Sequence, residues 1–217
     1  MNAQSIHWTG ARARHADRHF HSGFRRRFDQ GVFRHILPAL KRDDIVLDLG
    51  AGTGFLSIGI AAHVGHGSVI AVDESEEMLR QLSQRARRMG FSGRITARVA
   101  DASSTGLPAE SVDLVISANL LHEVDNPQAV IKEIARVLKP GGVFVIQDFR
   151  DGLFWKIFRR YHSDTARGPL SVDELYLTLE ESGLDEVIIQ TKRLRYIAAG
   201  RKPNRTCAAL QPSTEQN

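Results

Sequence analysis

Apolar runs and apolar helical stripes alternate along this chain. Ile45-Val46-Leu47, interrupted only by Asp48 before Leu49, is short and apolar on both sides, as in a central strand of a parallel sheet. Gly50, Gly52 and Gly54 follow, then an apolar segment of helical length from Phe55 to His63. A second run, Ser68 to Asp73, leads into a stripe at helical spacing: Met78, Leu79, Leu82, Ala86 and Met89. Ser75 is placed to cap that helix, with Glu76 and Glu77 in its first turn and Arg85, Arg87 and Arg88 in its last. Glu76 and Arg80 are spaced as an i,i+4 ion pair.

Arg94 to Ala100 alternates, with Ile95, Ala97 and Val99 on one side, which predicts a strand with one wet face at a sheet edge. Val112 to Ser117 is nearly all apolar and therefore central. Asn126-Pro127 offers a cap and an N1 proline to a helix whose Val130, Ile131, Ile134, Val137 and Leu138 face the core. Lys139-Pro-Gly-Gly142 ends that helix before a fifth strand, Val143 to Ile146. Ser171 and Glu174 are spaced as a capping box for a helix closed by Gly183. Val187 to Ile189 and Tyr196 to Ala198 read as an antiparallel strand pair. Ahead of all this, Phe24, Phe28, Val32, Phe33, Ile36, Leu37 and Leu40 recur at helical spacing, so a helix should run towards the sheet. The alternation predicts an α/β fold, doubly wound about a mostly parallel sheet.

The glycine bend after the first strand is where a nucleotide would meet bare backbone and a helix N-terminus. A dinucleotide fingerprint needs glycine at the first, third and sixth places; counted from Gly50 the sixth is Phe55, which argues against a nicotinamide oxidoreductase. Asp48 stands before the bend, where a carboxylate suits a cationic amino-acid group, directly or through water, and would repel a pyrophosphate. Asp73 ends the second strand, where it can accept from both ribose hydroxyls.

These blocks resemble the class I S-adenosylmethionine-dependent methyltransferases, in particular the branch that acts on small molecules. The matching stretches are Val46 to Gly54, Ala71 to Asp73, Val99 to Ala102, Val112 to His122 and Ile134 to Gly142, in the family's order, over about Leu40 to Lys202. The resemblance implies a Rossmann-like sheet of seven strands, the third at an edge and an antiparallel pair at the C-terminal end. It also implies S-adenosyl-L-methionine as cofactor. The residues expected to hold it are Asp48, Gly50, Ala51, Gly52, Thr53, Gly54, Asp73, Glu74, Met78, Asp101, Ala102 and Asn119. In that family Asp101 accepts from the adenine amine and the next N–H serves a ring nitrogen; a capping aspartate at a turn is the plainer use of Asp101. Three units follow: a substrate-side lid over 1–40, the methyltransferase domain over 41–202, and a polar, disordered tail over 203–217.

Composition trims the alternatives. A single cysteine, Cys207, allows no internal disulfide, suits the cytoplasm, and excludes mechanisms needing several thiols. The first residues lack a secretory core, and no run nears a membrane span. The net charge of +4 is uneven: residues 1–40 carry seven Lys/Arg against two Asp/Glu. No RNA-recognition motif accompanies that basic segment, so nucleic acid is not an expected partner. His15, His19 and His21 cluster there, but no fixed carboxylate or cysteine completes a metal site, and none is assigned.

Ten of the fifteen aromatic residues fall in two places outside the regular alternation, 1–40 and 149–168. In the resembling family these places select the substrate. An aromatic, cationic wall suits a planar or apolar small-molecule acceptor, and 154–161 reads as an interfacial helix able to meet a membrane surface. His122 and Asp148, at strand ends on the same rim, are the candidate catalytic groups should a base be needed; His122 suits a general base with a pKa near the working pH, or equally a histidine that shapes the loop. A cofactor-binding regulator or RNA-binding module without turnover is the competing reading. Neither the acceptor atom nor the oligomeric state is written in the sequence.

Overall fold

The computed structural model describes residues 31–151 and 168–204. The expectations for His15, His19 and His21, for 154–161, and for the tail beyond 204 lie outside the described residues.

Seven strands form one sheet: β1 (Ile45–Leu49), β2 (Ser68–Asp73), β3 (Ile95–Val99), β4 (Val112–Ala118), β5 (Leu138–Phe149), β6 (Asp185–Thr191) and β7 (Arg195–Arg201). Their order is β3-β2-β1-β4-β5-β7-β6. The first five run parallel, whereas β7 pairs antiparallel with both β5 and β6. The helices are α1 (Phe55–Ala61), α2 (Glu76–Arg88), α3 (Pro127–Val137) and α4 (Val172–Glu181), with a short helical stretch at 31–36. This is the doubly wound, mostly parallel α/β sheet with a C-terminal antiparallel pair that the pattern predicted.

Two apolar layers hold the sheet between them. On one face Leu47, Leu49, Val115 and Ile146 pack with Ile131 and Ile134 of α3 and Leu175 and Leu179 of α4. On the other, Val46, Val69, Leu114 and Ile116 meet Leu56 and Ile60 of α1 and Val32 and Ile36. Complete burial of a side chain such as Ile36 or Ile60 is worth about 1.5–3 kcal/mol. The predicted caps are in place. Ser75 accepts from the Met78 N–H and Asn126 from the Ala129 N–H, and Ser171 and Glu174 close a reciprocal box.

The structure departs from the sequence pattern at five points. Arg80 pairs with Glu77, not Glu76, donating through Nε and Nη2 at 3.0 and 2.7 Å; one turn of helix puts both carboxylates in reach, and the two-pronged geometry favours the nearer. Met89 is exposed because it falls on the C-cap, beyond the last turn packed on the sheet. Leu37 is exposed too, just past the helical stretch. Along β3, Ala97 and Val99 are open where alternation predicted a buried side, since burial from α2 reaches only as far as Ile95. Finally, Lys139 to Gly142 continues into β5 instead of preceding it: Leu138 pairs with Val112 ahead of a bulge, and Lys139 Nζ binds both Asp113 oxygens at 2.8 and 2.9 Å.

Candidate active site

The winding of the sheet reverses between β1 and β4, so a crevice opens beyond the carboxyl ends of those strands. The glycine bend forms one wall and is pinned from three sides. The N–H groups of Gly50 and Ala51 both donate to Val72 O at 2.9 Å. Asp73 accepts from the Gly52 N–H at 2.8 Å through Oδ2 and from the Ser75 N–H at 2.9 Å through Oδ1. Arg85 reaches back from the last turn of α2, donating to Thr53 O at 2.9 Å and Thr53 Oγ1 at 3.3 Å.

Two of the glycines answer different demands. At Gly54 (φ 84°) a Cβ would lie 2.5 Å from Leu82 Cγ, so α2 packing forbids a side chain there. At Gly52 (φ 52°) a Cβ would meet only Met78 Sδ, 3.9 Å away. The space beside Gly52 is open, as bare backbone kept for a ligand requires.

Asp48 lies behind the bend, 1% exposed, and accepts from the Ser57 hydroxyl of α1. Burial pushes its carboxyl up to about 7; the Ser57 hydrogen bonds oppose the rise and the charge of Asp73 adds to it. Burial likewise raises Asp73, against its bonds from Ser75 and Gly52 and with help from Glu123. Glu74 is exposed beside it and Met78 is buried beneath. Asp101 accepts from the Ser103 N–H and hydroxyl through Oδ1 at 2.6 and 2.7 Å, a turn-capping use, with Ala102 packed on the core.

The opposite wall follows β4. Asn119 takes a left-handed φ of 60°, which asparagine tolerates, and its N–H donates to Gln147 O at 2.8 Å. That kink swings His122 over the end of β5. His122 Nδ1 meets Asp148 Oδ1 at 2.6 Å and the His122 N–H donates to Asp148 Oδ2 at 3.1 Å. Phe149 sets its ring at 90° to the imidazole, centroids 4.9 Å apart. Burial would lower the His122 pKa, but the Asp148 carboxylate, with Glu123 beyond, raises it to about 10. The carboxylates thus favour the protonated imidazole and lift its pKa above the near-neutral value expected of it.

The structure thus brings Asp48, the glycine bend, Asp73, Asn119, His122 and Asp148 to one rim. Sequence reasoning missed Ser57 and Arg85. Arg85, as a last-turn arginine, complements the α2 dipole, and nothing local marks a contact 32 residues away. The donor set fits the implied S-adenosylmethionine: open backbone at Gly52 and carboxylates at two adjacent strand ends, where a pyrophosphate would be repelled.

Comparison with known proteins agrees. Residues 40–197 match the methyltransferase domain family. A ubiquinone/menaquinone biosynthesis C-methyltransferase from Hydrogenovibrio crunogenus is 34% identical over 114 residues, which is 52% of this chain and 45% of that protein. The chloroplastic 2-methyl-6-phytyl-1,4-hydroquinone methyltransferase 1 of Oryza sativa subsp. japonica is 33% identical over 145 residues, 67% of this chain and 42% of that one. The chain thus spans about half the length of the curated relatives it matches. Among solved structures, a phosphoethanolamine N-methyltransferase from Haemonchus contortus, in complex with S-adenosylhomocysteine, shares the fold at a TM-score of 0.70 and 17% identity, over 82% of this chain and 53% of that one. This chain belongs to the methyltransferase domain family, among the class I S-adenosylmethionine-dependent methyltransferases.

Proposed function

We propose that this chain methylates a small aromatic acceptor bearing a phenolic or enolic oxygen, of the hydroquinone kind named in its relatives. The observation that carries the reading is the buried His122–Asp148 pair, 2.6 Å long, at the rim that faces the glycine bend. In this reading Asp73 takes the ribose hydroxyls, Asp48 the α-amino group, and Asp101 with the Ala102 N–H the adenine. Gly50, Ala51, Gly52 and Asn119, their N–H groups engaged within the fold, line the site with backbone, and Glu74 and Met78 flank the nucleoside. Thr53 and Gly54 act by holding the bend. When bound, S-adenosylmethionine supplies an activated methyl group on a cationic sulfur.

The protein's share is proximity and a charged hydrogen bond. Asp148 fixes the imidazolium through Nδ1, and Nε2–H, 3.5 Å from the Glu123 carboxylate, is the ring's second donor. A donor of that charge would favour the ionised form of an acceptor oxygen, its proton passing to solvent, and so enrich the acceptor ring in electron density. Phe149, its ring edge-on to the imidazole, helps keep water from the pair. An apolar acceptor also suits the expected contact of 154–161 with a lipid surface and a cytoplasmic setting; vesicle flotation of the full chain tests that contact.

The experiment is a panel of hydroquinones, phenols, amines and lipids offered with S-adenosylmethionine, read as S-adenosylhomocysteine released. Turnover is expected with hydroquinones and lost in His122→Asn. Turnover only with amines, or with none of the panel, would contradict the reading; the latter favours a cofactor-binding regulator.

A further inference from the structure

The loop between β3 and β4 carries the proposed adenine contacts, and two side chains of α3 hold it. It begins as a tight turn: the Ser104 N–H donates to Asp101 O at 3.0 Å, while the Ser103 N–H and hydroxyl occupy Asp101 Oδ1. Asp101 Oδ2 has no partner among the described residues. The next residue, Thr105, is buried and tied twice to Glu133, which accepts through Oε1 from its N–H at 2.9 Å and its hydroxyl at 2.5 Å. Thr105 Oγ1 in turn accepts from the Leu107 N–H at 3.2 Å. Arg136 completes the clamp. Its Nε and Nη2 bind Glu133 at 2.7 and 2.9 Å, and Nη2 also donates to Leu107 O at 2.7 Å.

Stability alone does not call for a charge at this place. Glu133 is 5% exposed, and an apolar side chain of similar volume often serves as well as a buried ion. What the carboxylate adds is direction. The loop leaves an edge strand that is exposed from Thr96 to Val99, so β3 offers it little support. α3, by contrast, is packed in the core through Ile131 and Ile134, and the clamp ties the loop to it. Resting on the proposed cofactor site, we infer that Glu133 and Arg136 are positioning residues for adenine recognition. By fixing Thr105 and Leu107 they set the Asp101 carboxylate and the Ala102 N–H for the purine edge. Thr105 stands one residue past the Asp101–Ser104 turn, so slack at Thr105 passes to the turn, where hydrogen bonds weaken steeply with angle. Contacts to the ribose and the amino-acid group lie on other elements and are spared.

S-adenosylhomocysteine and S-inosylhomocysteine, in which a carbonyl replaces the purine amine, differ at the group assigned to Asp101. Calorimetric Kd values for the pair test the inference, each with and without Asp101→Ala. Wild type should prefer the adenine ligand by about tenfold or more, the loss of one hydrogen bond to a charged group. Glu133→Gln, which breaks the ion pair, should cut that ratio about fivefold. Thr105→Val removes only the hydroxyl, keeps the ion pair, and should cut the ratio roughly two- to threefold; it decides the matter if Glu133→Gln does not fold. In the Asp101→Ala background neither change should move the ratio further. Lost stability lowers the amount of folded protein and cancels between the two ligands. An unchanged ratio in either folded variant, or a further fall in the Asp101→Ala background, would overturn the positioning role while leaving the cofactor site standing. Wild type that binds both ligands equally would overturn the role of Asp101 and this inference with it. Wild type that binds neither would overturn the cofactor site itself.

Discussion

Asp48 is the group whose titration should be felt most plainly in cofactor binding. Buried behind the glycine bend, its carboxyl is raised from 3.8 to about 7, so it carries a proton through much of the acid range. If the cofactor's ammonium pairs with it, binding requires the carboxylate, and affinity should fall about fivefold from pH 7 to 6 and nearly tenfold for each unit below that. From pH 5.5 to 7.5 the affinity should rise roughly 25-fold, flattening above 7. The ligand's own amino group begins to lose its proton near pH 8, which sets the upper limit of the window. His122, at about 10, stays charged throughout. Asp73 is also raised, so the control is Asp48→Asn, which should remove most of the slope. Equilibrium dialysis with labelled S-adenosylmethionine at four or five pH values reads the effect. A Kd constant within twofold across the window, or an unaltered slope in Asp48→Asn, would refute the pairing.

The same carboxyl bears on stability. Because its folded pKa lies above its unfolded one, its contribution is fully present below about pH 4 and is lost as pH rises towards 7, by at most about 4 kcal/mol. Cofactor-free Asp48→Asn should therefore melt higher than wild type at pH 8 and show no such gain at pH 4. Gly54→Ala forces a Cβ onto Leu82 at a left-handed φ and should destabilise by ~2–4 kcal/mol in denaturant titration. Arg85→Ala frees Thr53 and, if the bend binds the cofactor as proposed, should raise the KM for S-adenosylmethionine about tenfold with kcat little changed. Asp148→Asn should drop the His122 pKa by more than two units, visible by NMR titration, and lower kcat with it.

Much of the fold was legible because its signals are local. The two-sided apolar runs at Ile45 and Val112 mark central strands, and Ser75, Asn126 and Ser171 announce helix starts whose caps form within three residues. The glycine bend and its flanking aspartates were legible for the same reason. What escaped depends on distant contacts. The pairing of His122 with Asp148 bridges 26 residues and raises the imidazole pKa above its expected near-neutral value, because a buried carboxylate outweighs desolvation. The openness of Val99 depends on how far α2 extends over the edge strand, which no period along β3 records. Glu133, on the core side of α3, is tolerated there because the Thr105 N–H and hydroxyl and Arg136 satisfy it.

The site stands or falls on which nucleotide the bend accepts. Titration calorimetry of the purified chain with S-adenosylmethionine and, separately, with NAD should give saturable binding of the first, greatly weakened by Asp73→Ala, and no heat from the second. Tight binding of NAD with S-adenosylmethionine ignored would contradict it.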